Sequence, residues 1–184
     1  MIELFHVIPT QQQATGQPPI QPGAVVNLEA PPGVYAPGAS EEMVRLFPGG
    51  ITRHGRRYLT EPSSDPKLWP SWTAELFVEA VRRAEFPGAC SRMESIFGFE
   101  AIEDARAFIE SHRGGQPCAI YRIRGELAHR GNMSLLQVNG RPGVTAFSAA
   151  RSYWRGDQGA ASTLWESLLR PPVEFVEIVE AIVR

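Results

Sequence analysis

The sequence predicts an α+β domain, and three observations support this fold class. β-Forming apolar runs stand near both ends of the 184-residue chain, at 3–9 and 173–183. Patterns with helical spacing occupy the middle of the chain. Strand and helix patterns do not alternate as they would in a parallel βαβ fold. The length suits a single domain over residues 1–184.

Two short strands and a short helix are predicted first. Residues 3–9 read ELFHVIP and residues 23–29 read GAVVNLE, and both are short runs rich in β-formers. Residues 30–39 are dense in proline and glycine, which predicts a loop. The segment SEEMVRLF at 40–47 has a serine at the N-cap position and acidic residues in its first turn, which favours a helix.

The clearest predicted helix covers residues 71–86 and ends at Pro87-Gly88. Its apolar residues recur at helical spacing: Trp72, Leu76, Phe77, Ala80, Val81 and Ala84. Residues 49–70, directly before it, show little periodicity and are predicted to be irregular. The stretch RMESIFGF at 92–99, directly after it, is predicted to be a strand.

The second half of the chain predicts further helices and strands. Two helices are predicted at 101–113 and 144–156, each followed by glycine. Strands are predicted at 117–125, 163–169 and 173–183, the last two separated by Arg170-Pro171-Pro172. The segment MSLLQV at 133–138 fits either type of element.

The composition is that of a globular protein, with 43% hydrophobic and 21% charged residues. A net charge of −2 argues against a general nucleic-acid coat but leaves a local basic groove open. The N-terminus lacks the pattern of a signal peptide, and no apolar run is long enough to span a bilayer. We therefore expect no membrane association and a cytoplasmic location, or export without a cleavable signal.

The two cysteines, Cys90 and Cys118, lack the spacing of a zinc site. We expect two buried thiols in a reducing compartment, without a disulfide bond and without a bound metal. The signatures of nucleotide-binding P-loops, dinucleotide folds, zinc proteases and serine hydrolases are also missing from the sequence.

His6 and Glu166 each allow two interpretations. His6, inside an apolar strand, is either a core histidine or an imidazole that holds a ribose hydroxyl. Glu166, in the apolar run LWESLL, lies either on the solvent face of an edge strand or in a cleft, since burying a lone carboxylate is costly.

Aromatic and basic residues supply further candidates. Tyr153, near the end of a predicted helix, is either a core residue or part of an aromatic wall. Arg92 is either a solvated charge or a phosphate contact. The arginines around His54, namely Arg53, Arg56 and Arg57, form a basic cluster that is either solvated or in contact with a polyanion.

Four segments in a fixed order carry a resemblance to a known family. They are LFHVI at 4–8 with the following QPG at 21–23, a long stretch from FPGACSR to DARAF at 86–108, HRGNMSLL at 129–136, and AARSYWRG at 149–156 followed by LWESLLRPPVEFVEI at 164–178. Together they resemble a bacterial domain-of-unknown-function family that looks like the ADP-ribosyltransferase superfamily, in its histidine–tyrosine–glutamate branch.

The resemblance implies a split two-sheet fold with flanking helices that binds NAD in a cleft, without a metal. By motif position, His6 holds the NAD ribose as a catalytic and binding residue, and Ser95 supports the nicotinamide amide. Glu166 is the catalytic carboxylate that stabilises an oxocarbenium-like state. Phe97 or Tyr153 forms the aromatic wall, although many relatives have tyrosine after the serine where this chain reads SIF. Arg92 contacts the pyrophosphate or the adenosine side.

The function that this resemblance implies is ADP-ribosyl transfer from NAD to a protein or nucleic-acid acceptor. A bacterial toxin or defence factor of this kind has an antitoxin or immunity protein as a further expected partner. Two alternatives stay open at this point. One is a catalytically inactive module of the same fold that binds a partner protein, and the other is an NAD glycohydrolase.

Overall fold

The computed structural model describes residues 1–10, 19–31, 33, 38–61, 69–114, 116–136, 143–159 and 163–182. The predicted loop at 30–39 and the end of MSLLQV lie partly outside these ranges. The described residues contain five helices: α1 (Ala39–Leu46), α2 (Arg53–Leu59), α3 (Trp69–Glu85), α4 (Ile102–His112) and α5 (Gly143–Arg155). They contain five strands: β1 (Ile2–Pro9), β2 (Ala24–Val26), β3 (Ile96–Gly98), β4 (Cys118–Asn132) and β5 (Trp165–Ile182). The predicted α+β class is therefore confirmed.

The strands form one antiparallel sheet in the order β1-β4-β5-β2, with β3 also paired to β5. Just beyond β3, Phe99 exchanges two backbone hydrogen bonds with Phe5 of β1, at 2.8 and 2.9 Å. The strands β1, β4, β5 and β3 thus close into a ring. Four register shifts between β4 and β5 bend these long strands and allow the closure.

The strand β5 runs without a break through Pro171 and Pro172, although the sequence predicts two separate strands there. The N-terminal part of β5 pairs with β3 at 167–169, and the C-terminal part pairs with β2 at 173–175. The prolines lie between these two partners and opposite an irregularity in β4. Their missing N–H groups therefore cost no regular ladder hydrogen bond.

The helix α2 was not expected, because residues 49–70 are predicted to be irregular. Thr52 accepts a hydrogen bond from the Gly55 N–H at 3.5 Å and caps the helix. Gly55 packs so closely that an added Cβ would lie 2.4 Å from the Met93 carbonyl oxygen. This helix depends on tertiary packing, and its sequence RHGRRYL has no apolar stripe to predict it.

Two short segments form 3-10 turns. Residues Arg92–Glu94 form one, with the Ser91 hydroxyl accepting a hydrogen bond from the Met93 N–H at 3.1 Å. The predicted strand at 92–99 is therefore a turn followed by the three-residue β3. Residues Met133–Leu136 form the second turn.

The buried face of α3 differs from the apolar stripe in the sequence. Leu76, Ala80 and Ala84 are exposed. The buried positions carry three charged residues beside small or branched apolar ones: Ala74, Glu75, Val78, Glu79, Val81 and Arg82. Arg82 forms two hydrogen bonds with Glu79, so these charges are paired inside the protein.

No helix among the described residues is long and apolar enough to cross a lipid bilayer. Cys118 is buried, as predicted, whereas Cys90 is only half-buried, and both thiols are free.

Candidate functional site

One cleft lies where β1, β3 and β5 meet the start of α2. It holds about 330 Å³ of empty space, counted out to its open mouth and including solvent there. Its apolar part is formed by Ile20, Val26, Ile96 and Phe175. The remaining lining residues bring polar, charged and aromatic groups together: His6, Thr52, Arg53, His54, Ser95 and Phe97.

The ring of His6 is oriented by a hydrogen bond to the backbone of β3. Its Nδ1 lies 2.5 Å from the Phe97 carbonyl oxygen, which accepts the hydrogen bond, so Nδ1 carries the proton. Burial lowers the pKa of His6 to about 4, although the hydrogen bond to Phe97 acts in the opposite direction. The ring is therefore neutral at pH 7, and Nε2 is a lone-pair acceptor suited to a hydroxyl donor.

This neutral histidine predicts that acid weakens the fold. Between pH 6.5 and about 4, His6 takes up a proton in the unfolded chain but not in the folded protein. Stability is therefore lost as the pH falls through this window, by about 3 kcal/mol in total for His6. Urea denaturation at about pH 7 and about pH 5 measures the free energy of unfolding. We expect His6 to account for a decrease of about 2 kcal/mol between these two pH values.

The His6→Gln variant is the control, because its amide can still donate to the Phe97 carbonyl oxygen without titrating. We expect its stability to fall less between the two pH values than that of the wild type. The same decrease in both proteins would contradict a neutral His6 in the folded protein.

Ser95 lines the cleft from the turn before β3 and is fully buried. Its hydroxyl donates to the Ser91 carbonyl oxygen at 2.7 Å and lies 3.3 Å from the Cys90 sulfur. The Thr52 hydroxyl lies 3.1 Å from the carbonyl oxygen of Ser95 and 3.1 Å from the carbonyl oxygen of Met93. These contacts link the start of α2 to this turn. Ser95 is thus held in place by several contacts.

Phe97 connects the cleft to a buried group of charges. Its ring lies 4.4 Å from the ring of His54 and 4.6 Å from the guanidinium carbon of Arg92. His54 Nε2 in turn lies 3.2 Å from a Glu75 carboxylate oxygen, but without the direction of a hydrogen bond. A substitution at Phe97 or His54 would therefore affect both the lining of the cleft and the buried charges.

The buried charges form what we name the Arg92 cluster: Arg92, Glu75, Tyr153 and Glu166. Arg92 donates two hydrogen bonds to the Glu75 carboxylate, at 2.8 and 2.9 Å, and one to Glu166. Arg92 also donates to the Tyr153 hydroxyl at 2.6 Å, and Tyr153 donates to Glu166 at 2.8 Å. One cation thus faces two carboxylates in the interior.

The electrostatics of the cluster keep the Arg92–Glu75 pair charged. Burial alone would raise the pKa of Glu75, but the charge and hydrogen bonds of Arg92, together with His54, outweigh burial and hold the pKa well below its ordinary value. Burial alone would lower the pKa of Arg92, but the charges of Glu166 and Glu75 and further contacts together raise it well above its ordinary value. Burial raises the pKa of Tyr153, so its hydroxyl keeps the proton that it donates to Glu166.

The structure separates the residues predicted from the sequence into two neighbouring groups. His6, Ser95 and Phe97 line the cleft. Arg92, Tyr153 and Glu166 lie in the Arg92 cluster and do not line it. The roles predicted for these six residues in NAD binding and catalysis stay predictions.

Two of the sequence interpretations are wrong. Glu166 does not lie on the solvent face of an edge strand, because it is 4% exposed and pairs across to β4 at Gly131. Arg92 is not a solvated charge, because it is 4% exposed and bonded to two carboxylates. A phosphate that contacts Arg92 would have to displace one of them.

The sequence reasoning missed the positions of Glu75, His54 and Thr52. The sequence pattern assigned no role to Glu75, and it placed His54 only within a basic cluster. One signal for Glu75 is available in the sequence, since Glu75, Glu79 and Arg82 share one helical stripe with Val78. Charges on an apolar stripe indicate buried ion pairs. No comparable signal identifies Thr52.

Within the described ranges, no group of three or more His, Cys, Asp or Glu side chains is placed to hold a metal ion. No curated protein matches the chain. Residues 63–181, more than half of the chain, match the family described as "Protein of unknown function (DUF2441)". The Arg92 cluster lies entirely within this matched region. The cleft takes Ser95, Ile96, Phe97 and Phe175 from it, and its other lining residues come from the first 54 residues of the chain. The chain therefore belongs to the DUF2441 family.

Proposed function

We propose that the cleft binds NAD and that the protein is an NAD-dependent ADP-ribosyltransferase acting on a macromolecular acceptor. One observation carries the proposal. His6, Ser95 and Phe97, which the resemblance assigns to NAD, come from distant parts of the chain and line the same cleft.

The chemistry of the cleft suits the nicotinamide riboside half of NAD. The neutral His6 offers Nε2 as an acceptor for a ribose hydroxyl. Phe97 and Phe175 offer aromatic surfaces against which a nicotinamide ring can pack. The strands form one sheet, but the two ends of β5 pair with different strands, β3 and β2, and this division is what supports the two-sheet arrangement that the resemblance implies.

In the proposed reaction the bond between the ribose C1 and the nicotinamide nitrogen breaks, and its electron pair leaves with nicotinamide. The positive charge that develops on the ribose ring is stabilised by a carboxylate, for which Glu166 is the candidate. A nucleophilic group of the acceptor then bonds to C1 and releases its proton to solvent. Because Glu166 lies behind the cleft, this role requires a rearrangement around Phe97 on NAD binding.

The position of Glu166 also favours a second candidate, a module that binds without catalysing. The charge of Glu166 is balanced by Arg92, and its oxygen already accepts hydrogen bonds from Arg92 and Tyr153. A carboxylate held in this way is not free to stabilise a developing positive charge. If it stays so when ligand is bound, the protein binds its ligand or partner without turnover.

Calorimetric titration with NAD, followed by NAD consumption in cell lysate, tests the proposal on wild type and Glu166→Gln. We expect both proteins to bind NAD with similar affinity, because Glu166 does not line the cleft. We expect the rate of NAD consumption to be reduced about 100-fold or more in Glu166→Gln, because the carboxylate that stabilises the developing charge is removed. Glu174→Gln, an exposed glutamate of β5 paired with Arg124, is the matched control and should retain activity.

The outcomes separate the candidate functions. Absence of NAD binding in the wild type would refute the proposal. Binding without consumption would select the inactive module, and free ADP-ribose without a labelled macromolecule would select an NAD glycohydrolase. A labelled protein or nucleic acid would identify the acceptor. Loss of labelling on co-expression of a bound protein would identify an antitoxin or immunity partner.

A further inference from the structure

His54 lies between the cleft and the Arg92 cluster and has a hydrogen-bonding atom that is not used. It lines the cleft from the first turn of α2. Its Nε2 is buried and has no hydrogen-bond partner among the described residues, although it lies 3.2 Å from Oε2 of Glu75. Most buried polar atoms in native proteins are paired, so an unused nitrogen this close to a carboxylate needs a physical explanation.

The Glu75 carboxylate takes its hydrogen bonds from Arg92. Within the described part of the chain, Arg92 Nε donates to Oε2 at 2.9 Å and Arg92 Nη2 donates to Oε1 at 2.8 Å. If Arg92 turned away, Glu75 would become a buried carboxylate without a donor, which is far more costly than exchanging one donor for another. The Nε2 of His54 is close enough to Oε2 to take the place of Arg92 Nε.

The backbone around His54 is fixed, so only its ring has to turn. The Thr52 N–H donates to the Met93 carbonyl oxygen at 2.9 Å, and Gly55 packs against the same oxygen without room for a Cβ. These contacts hold the start of α2 against the 3-10 turn that begins at Arg92. The contact between His54 and Glu75 lacks the direction of a hydrogen bond, and a rotation of the imidazole about its side-chain bonds can supply this direction.

Phe97 connects the cleft to both possible donors. Its ring lies 4.4 Å from the ring of His54 and 4.6 Å from the guanidinium carbon of Arg92. Phe97 and His54 also both line the cleft. Because protein interiors are closely packed, a ligand ring that packs against Phe97 would shift the two side chains that Phe97 contacts.

We propose that His54 is a positioning residue that replaces Arg92 as the hydrogen-bond donor to Glu75 when a ligand fills the cleft. Its Nε2–H then bonds to Oε2 of Glu75, and Arg92 can move without leaving that carboxylate unpaired. Glu166 is thereby released from its hydrogen bond with Arg92. The identity of the ligand as NAD and the catalytic role of Glu166 rest on the proposed function, whereas the exchange of donors at Glu75 does not.

The Tm of the full chain without ligand tests the exchange of donors. His54→Leu removes the donor and keeps an apolar side chain against Phe97. In the wild-type background we expect the Tm to stay within about 2 °C, because no hydrogen bond is lost. In the Arg92→Met background His54 is the remaining donor to Glu75, so the same substitution should lower the Tm by a further 4 °C or so.

Arg170→Met, which removes an exposed cation, is the control background, and His54→Leu should leave its Tm unchanged. Equal shifts from His54→Leu in the wild-type and Arg92→Met backgrounds would overturn the exchange. A Tm lowered by about 4 °C or more by His54→Leu alone would mean that His54 already bonds to Glu75, and this would also overturn it. If Arg92→Met does not fold, Arg92→Lys replaces it, because an ammonium group cannot reproduce the two parallel hydrogen bonds of the guanidinium to Glu75.

The kinetics of NAD consumption test the positioning role. We expect kcat to be about 10- to 100-fold lower in His54→Leu, as for the loss of a hydrogen bond to a charged group. The NAD affinity measured by calorimetry should change by less than about 3-fold, because the exchanged hydrogen bond is made to Glu75 and not to the ligand. His54→Gln, whose amide can donate to Glu75, should recover most of the lost rate.

The results distinguish failure of this role from failure of the proposed function. An unchanged kcat in His54→Leu, or a loss confined to NAD affinity, would overturn the positioning role and leave the proposed function intact. A Tm effect of His54→Leu that appears only in the Arg92→Met background, with no NAD consumption by the wild type, would support the exchange of donors and overturn the proposed function.

Discussion

Replacing Arg92 with methionine is expected to lower the free energy of unfolding by about 3–5 kcal/mol, because it leaves two buried carboxylates without their cation. Glu75 and Glu166 would then face each other's charge and the apolar interior, with Tyr153 the remaining donor to Glu166. Methionine is similar in length to the aliphatic part of arginine, so little of the effect comes from a cavity. Urea denaturation followed by tryptophan fluorescence measures the change.

The surface pair of Arg170 and Glu126 provides the control. These side chains are 54% and 69% exposed and lie 4.0 Å apart, so Arg170→Met should cost about 1 kcal/mol or less. If Arg92→Met costs no more than this control, the carboxylates of the cluster are not buried against Arg92 in solution.

A double variant separates lost charge balance from lost packing. Adding Glu166→Gln to Arg92→Met removes one of the uncompensated carboxylates, so we expect about 1 kcal/mol or more of the stability to return. The amide also keeps an acceptor for the Tyr153 hydroxyl. Additive losses in the double variant would contradict the coupling of these two residues. The same data establish whether Glu166→Gln is folded well enough for the assay of NAD consumption.

Replacing Gly131 with alanine is expected to destabilise the protein by about 3 kcal/mol, the upper part of the range for overpacked sites. A Cβ at this position of β4 would lie 2.4 Å from a carbon of the Tyr153 ring, with two further ring carbons at 2.8 Å. Tyr153 is completely buried, and its hydroxyl is bonded to both Arg92 and Glu166. The ring therefore cannot retreat without breaking hydrogen bonds in the Arg92 cluster. Thermal and urea denaturation measure the loss.

Gly143→Ala is the matched control for this substitution. Gly143 begins α5, and an added Cβ meets no atom within 4 Å, so alanine should be neutral or stabilise by up to about 1 kcal/mol. Equal stability of Gly131→Ala and Gly143→Ala would mean that the Tyr153 ring has room to move.

Much of the fold follows from local pattern. The predicted strand at 3–9 and the predicted helix at 101–113 agree with β1 and α4 to within a residue or two at each end. These elements have regular periodicity and clear stop signals, which act within a few residues of the chain. The helix α2 and the continuous β5 were predicted wrongly. α2 depends on the contact between Gly55 and Met93, and β5 passes its prolines because its neighbours change there.

The residues of the candidate site were likewise predicted only in part from the sequence. The resemblance singled out His6, Ser95 and Phe97, and the structure brings these three together in one cleft. The position of Glu75 beside Arg92 was not predicted, because 17 residues and the end of α3 separate them in the sequence.

The sequence by itself determined the α+β class, the ends of the periodic elements and the residue types available for chemistry, because these depend on composition and on short-range spacing. The tertiary structure decided which charges are paired and which are not. It buried Glu166 and Arg92 together and made the ring of His6 neutral. Such outcomes depend on distances between segments far apart in the chain and on their exclusion from water, and local sequence carries neither.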